Sequence, residues 1–126
     1  MSEEPAIEDA VSRLGRLMYE RDPAVANEFV ADAILIGSEA GEIARGRAEI
    51  RVLFAGIHAK PYRVTWQWDS VDTKVEGSLG WFFAEGNAII ERTEGQIRLP
   101  YRLAGVLQRL DGRWYWRLFH GSEPKV

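Results

Sequence analysis

No cysteine occurs in the 126 residues. Disulfides, thiolate nucleophiles and zinc–thiolate sites are excluded with it. Only two histidines are present, His58 and His120, far apart and without an acidic spacing motif. A protein-built transition-metal site is therefore not expected. No apolar run approaches the roughly 18 residues of a membrane-spanning helix. Sixteen basic side chains stand against nineteen acidic ones, a formal charge of −3, and the basic residues form no stripe. Nucleic acid is accordingly not an expected partner. The acidic opening, Met1-Ser-Glu-Glu-Pro5, is unlike the basic start of a secretion signal. These absences favour a soluble, cytoplasmic protein. A nucleophile triad, a glycine-rich phosphate loop and internal repeats are also missing, and no cofactor is expected.

What is present is enough apolar surface for a full core. Nearly half of the residues are apolar and five are tryptophan, which suits one domain spanning residues 1–126. Residues 1–4 read as frayed. Ile7, Ala10, Val11, Leu14, Leu17 and Met18 follow the spacing of a buried helical stripe. Its burial contributes on the order of 10 kcal/mol before entropy is subtracted. Tyr19 lies at the stripe's border, either an amphipathic edge residue or a phenol reaching into a cavity. Asp22-Pro23 reads as a helix start, giving a short helix to Glu28 and then a strand at 31–36. Residues 37–42 read as a loop. A third helix follows Gly46 and ends near Ala59, before Pro61. His58 in its last turn reads as a solvated residue favoured by the helix dipole.

From Tyr62 the period changes to two. Tyr62, Val64, Trp66 and Trp68 alternate with polar residues, with Asp69 expected to point outward. Strong strand patterns continue through residues 79–85, with an interruption at Gly86-Asn87. Pro100 predicts a bulge in the next strand or a neighbour that has already ended. Helices first and antiparallel strands after give an α+β class.

The last hairpin, Tyr101 to Ser122, carries most of the information. A three-residue loop at Leu110-Asp-Gly112 puts Arg102 opposite His120 and Ala104 opposite Leu118. A two-residue loop would shift the register by one. Asp111-Gly-Arg-Trp114 followed by Phe119-His-Gly-Ser122 resembles the terminal signature of the SnoaL-like branch of the nuclear transport factor 2-like (NTF2-like) superfamily. The ending is similar to that of the association domain of calmodulin-dependent protein kinase. Arg102 matches the arginine of that branch's preceding strand. Leu118 and Ala104 replace polar residues frequent there, which makes this pocket less polar. The resemblance implies three N-terminal helices packed in the concave face of a curved mixed or antiparallel sheet, around a conical pocket. It also implies pairing of the convex face with a second subunit.

The candidate ligand-binding residues are Arg102, His120, Tyr19, Trp66 and Trp68. The first two would accept a carboxylate or enolate. The tryptophans would supply apolar wall, although core packing is the plainer role for them. Arg102 has a plain alternative too, an internal ion pair with Glu85. Asp32 is either a buried general base or a solvated loop-end acid. Tyr101, Leu103, Leu107, Tyr115 and Phe119 share the other face of the hairpin and suggest a homodimer. Arg117 would there meet an acid of the second subunit. The expected function is binding of an aromatic or carboxylated small molecule in a pocket, either without catalysis or as an isomerase, dehydratase or cyclase. The alternative is a non-catalytic dimerisation or ligand-sensing domain.

Overall fold

The structure, a computed structural model, describes residues 4–125; positions 1–3 of the expected frayed start and Val126 lie outside them. Helix α1 runs Glu4–Glu20, a 3₁₀ helix Pro23–Glu28, and helix α2 Gly46–His58. Strands are β1 Phe29–Ile36, β2 Ile43–Arg45, β3 Arg63–Glu76, β4 Leu79–Arg92, β5 Gly95–Leu110 and β6 Arg113–Ser122. They form one open sheet in the order β2-β1-β6-β5-β4-β3. The β1–β6 pair is parallel and the other pairs are antiparallel. This is the α+β arrangement anticipated from the order of elements. The short β2 was not anticipated, since it sits just past a stretch that reads as loop.

The predicted stripe of α1 is buried throughout, from Ile7 to Met18. The helix packs against β3. Gly15 permits close approach, and the Thr65 hydroxyl donates to its carbonyl at 3.2 Å. The helix ends in a Schellman motif: Asp22 N–H bonds the Leu17 carbonyl and Arg21 N–H that of Met18. Arg21 takes the left-handed position, φ 58°, where glycine is usual. Its guanidinium is the reason to tolerate this. Nη2 donates to the carbonyls of Lys60 (2.9 Å) and Tyr62 (2.8 Å), tying α1 to the α2–β3 connection. Asp22 caps the 3₁₀ helix through Oδ1, which accepts from Ala24 N–H at 2.9 Å.

The terminal hairpin corrects the expected register. Asp111 and Gly112 both have positive φ, 51° and 77°, the signature of a two-residue type I′ loop. Leu110 therefore pairs Arg113, and Leu107 pairs Trp116. A bulge at Arg117 then resets the register, so that Ala104 pairs His120 and Arg102 pairs Ser122. The shorter loop puts Trp114 and Trp116 on the same face as Leu103 and Leu107, and that face is buried. Tyr101, Leu103, Leu107 and Phe119, expected on the convex face, are core residues at 0–7% exposure. The convex face carries Arg102, His120, Val106 and Leu118, together with Tyr115, which was expected there.

One further expectation changes, and at Pro100 the second of the two expected alternatives holds. Gly86 does not interrupt β4. It sits where β3 bulges between Trp68 and Ser70, and a Cβ there would strike the Gln67 carbonyl. Glycine thus lets the bulged strand press close while pairing continues. Pro100 stays in register with Asn87, because β6 ends at the Arg102–Ser122 pair and Pro100 has no neighbour on that side.

One end of the molecule is fastened by a buried carboxylate. Glu28, 3% exposed, accepts from Arg13 Nε at 2.6 Å and from Arg113 Nη2 at 2.5 Å. Arg13 also donates to the Trp114 carbonyl. The group joins α1, the 3₁₀ helix and β6. Burying an unpaired carboxylate costs several kcal/mol, which the two arginines offset. Glu28→Ala is expected to destabilise the fold by about 3 kcal/mol, read as a lower urea midpoint at unchanged slope. A loss below about 0.5 kcal/mol would show that the pairs are surface-like in strength.

Candidate functional site

Opposite that fastening, the helices and sheet part to leave a cavity of about 170 Å³. Its walls are apolar: Met18 from α1, Leu35 from β1, Leu53, Phe54 and Ile57 from α2, then Val64, Trp66, Ala88, Ile90 and Phe119 from the sheet. Polar groups gather elsewhere. Ser38, Glu39 and Glu42 come from the β1–β2 loop, Lys60 and Tyr62 from the α2–β3 connection, and Glu123 from beyond β6.

Tyr101 is the polar residue of the inner sheet face. It is 7% exposed. Trp66 and Ser38 lie beside its hydroxyl. Gly121 lies against the phenol tip so closely that a Cβ would have to displace it. Burial raises the phenol's pKa well above the ordinary value of 10.0, with the Glu42 and Glu123 charges adding to the rise. Trp66 and Ser38, polar neighbours of the hydroxyl, oppose it. At neutral pH the group is a fixed, neutral hydrogen-bonding phenol.

The five residues expected at the site are scattered. Trp66 lines the cavity. Trp68 stacks on Trp66, centroids 6.2 Å apart, and meets Phe82 edge-on, so it backs the wall from the core. Tyr19 points away, its hydroxyl donating to Glu91 at 2.6 Å under the Arg63 guanidinium. Arg102 and His120 lie on the opposite face of the sheet, both exposed. Arg102 pairs there with Glu85, Nε to Oε2 3.1 Å. Asp32 is exposed and pairs with Arg117 of its own chain at 3.2 Å, which removes the expectation of a buried base. His58 is partly buried rather than solvated. Its Nε2 has no hydrogen-bond partner, and burial followed by the Arg21 charge lowers its pKa.

Sequence reasoning missed Tyr101 and Phe119 as pocket residues, and the acids of the β1–β2 loop. The signal for the first two was Asp111-Gly112, the strongest two-residue hairpin pair. The loop acids carry no periodic signal. Among the described residues no group of three His, Asp or Glu side chains is placed to hold a metal ion. No helix among them is long and apolar enough to cross a membrane.

The chain belongs to the SnoaL-like domain family, whose model matches residues 7–125. It is similar in fold to a Streptomyces avermitilis protein provisionally assigned as a dehydratase of the NTF2-like family. That match has TM-score 0.86 and 13% identity over 97% of each chain. A Catenulispora acidiphila protein in complex with S-DNPA gives TM-score 0.84 at 17% identity, over 94% of this chain and 91% of that one. A Xanthomonas campestris protein provisionally assigned as a calcium/calmodulin-dependent protein kinase II association domain gives 0.81 at 16%, over 95% and 87%. No curated protein matches the chain. Identities this low carry the fold and nothing finer.

The raised phenol pKa has a sign that can be checked. The unfolded phenol loses its proton near pH 10 while the folded one keeps it, so stability is flat below that pH and falls above it. Tyr101→Phe should remove that part of the alkaline loss, while costing about 1 kcal/mol near neutrality through the lost polar surroundings of the hydroxyl. Urea unfolding at a series of pH values from about 8 to 11 reads both effects. An unchanged alkaline slope would place the titrating phenol elsewhere.

Proposed function

We propose that the chain is a small-molecule-binding protein and that the cavity beside Tyr101 is its binding site. The observation carrying this reading is an apolar cavity that ends on one held phenol and opens between charged residues. Ligand sites combine mostly apolar walls with a few fixed polar groups in this way. A domain serving assembly alone gains nothing from an unfilled void, which forfeits packing energy. The complex of the Catenulispora acidiphila protein with S-DNPA is consistent with small-molecule binding on this fold. An isomerase, dehydratase or cyclase reading of the same cavity assigns Tyr101 as oxyanion donor and a mouth carboxylate as base. A carboxylated ligand loses its support, because the two donors that argued for it, Arg102 and His120, face away from the cavity.

The test is calorimetry with neutral aromatic alcohols and ketones. At least one should bind the wild type, and Ala88→Leu, which extends a cavity-lining side chain into the void, should weaken it about tenfold. Melting temperature controls for folding. Equal binding to wild type and Ala88→Leu, or no binding to either, would remove the cavity from consideration.

A second reading concerns assembly, and a different observation favours it. On the convex face Trp81, Val106, Leu118 and Ile34 pair in register across four strands. Trp81 is 47% exposed and Ile34 37%. We infer a homodimer through this row, since a self-complementary sheet face buries such a patch by two-fold symmetry. Sedimentation at micromolar concentration should give a dimer, and Leu118→Glu a folded monomer. A wild-type monomer would end this reading and leave the cavity unaffected.

A further inference from the structure

We propose that the cavity selects a mostly apolar molecule bearing a positive charge, such as a protonated amine, with the charge held at the mouth among Glu39, Glu42 and Glu123. The inference rests on the cavity being a binding site and adds the chemistry of what it accepts. Three carboxylates line the cavity against one ammonium, that of Lys60. Neighbouring cations are directed elsewhere. Arg21 is spent on the backbone carbonyls of Lys60 and Tyr62. Arg63 lies over the Tyr19 ring and donates to its carbonyl. Arg102 and His120 stand on the far side of the sheet.

Tyr101 reports the sign of the field inside. Its phenolate would be an anion at the cavity wall, and after burial the charges of Glu42 and Glu123 are what disfavour it. Both carboxylates therefore act across the low-dielectric interior. An anionic ligand head would meet the same repulsion, and a cationic one the reverse. The rings of Phe54, Tyr62, Trp66 and Phe119 line the same space and offer faces that attract a cation.

One of the acids is set before any ligand arrives. Glu42 Oε1 accepts the Glu39 N–H at 3.0 Å, and the Glu42 backbone carbonyl accepts from Gly37 N–H at 2.7 Å. The side chain folds over Gly37, where a Cβ would collide with it. A carboxylate held in place this way costs little further ordering on binding.

The experiment uses one scaffold in three charge states: phenylpropylamine, phenylpropanol and phenylpropanoate, titrated calorimetrically near neutral pH at low and moderate salt. The amine is expected to bind about tenfold tighter than the alcohol, the acid weakest of the three, and the amine's advantage to shrink with salt. Glu42→Gln keeps the acceptor for the Glu39 N–H, and Glu123→Gln lies on exposed chain. In each the amine-to-alcohol ratio should fall by about threefold or more. An acid that binds as tightly as the amine, or a ratio untouched in both variants, overturns the charge preference while the alcohol still marks the cavity as a site. Binding by none of the three overturns the preference and the site together.

Discussion

Trp116 and Phe119 lie three positions apart on one strand, yet both rings enter the core and meet at 5.3 Å, edge to face. Strict alternation would send one of them to solvent. The bulge at Arg117 removes the conflict by absorbing one residue. It turns the outer face of β6 toward Asp32 and Gln108, which receive the Arg117 guanidinium. Much else follows from that one residue. Phe119 becomes a wall of the cavity, Gly121 comes against the Tyr101 phenol, and His120 goes outside. The type I′ loop at Asp111-Gly112 sets the register on the near side of the bulge, and the bulge sets it on the far side.

The interior that results divides into two ends with different physics. Toward the β5–β6 loop, Glu28 and its two arginines fasten the helices to the sheet, and the Arg109 guanidinium covers the Trp114 ring. In the middle, Phe29, Phe82 and Trp116 are fully buried and joined by tilted or edge contacts. At the far end packing stops short, and Trp66, Phe119 and Tyr101 present surface to a void instead of to each other's neighbours. The Trp68 ring stacked behind Trp66 keeps that wall rigid. Stability is drawn from one end and the middle, which leaves the far end able to stay open.

The parts of this arrangement that sequence reveals are those governed by local rules. The α1 stripe, the Asp22 cap and the end of α2 before Pro61 each follow from a few neighbouring residues, and each appears near its expected place. The family resemblance in Asp111-Gly-Arg-Trp114 and Phe119-His-Gly-Ser122 is matched by the family model across nearly the whole chain. The site is a different matter. Alternation alone groups Tyr101 with Leu103 and Leu107; that the buried Trp114 and Trp116 join them depends on a loop one residue shorter than expected, and that Phe119 does so depends on a bulge that Arg117 does not announce. The slip carries the two tryptophans to the Tyr101 face, so Tyr101 is the inner residue and Arg102 the outer one. Arg102 did meet Glu85, as the plainer reading of its charge allowed, but on the solvent side.

The cavity and the charge around it come from different parts of the chain, and that separation bears on what fold likeness can carry. The apolar wall belongs to strands and helices whose packing holds the domain together. Ser38, Glu39, Glu42, Lys60 and Glu123 sit on connections and beyond the last strand. Replacing a loop carboxylate disturbs little packing, whereas replacing Phe119 or Trp66 disturbs the core contacts that each makes. Chains that keep the architecture at 13–17% identity can thus share the void and differ in the sign of its mouth. On the proposed reading of the cavity as a binding site, the electrostatics of these few connecting residues, more than the shape they surround, would set its choice of ligand.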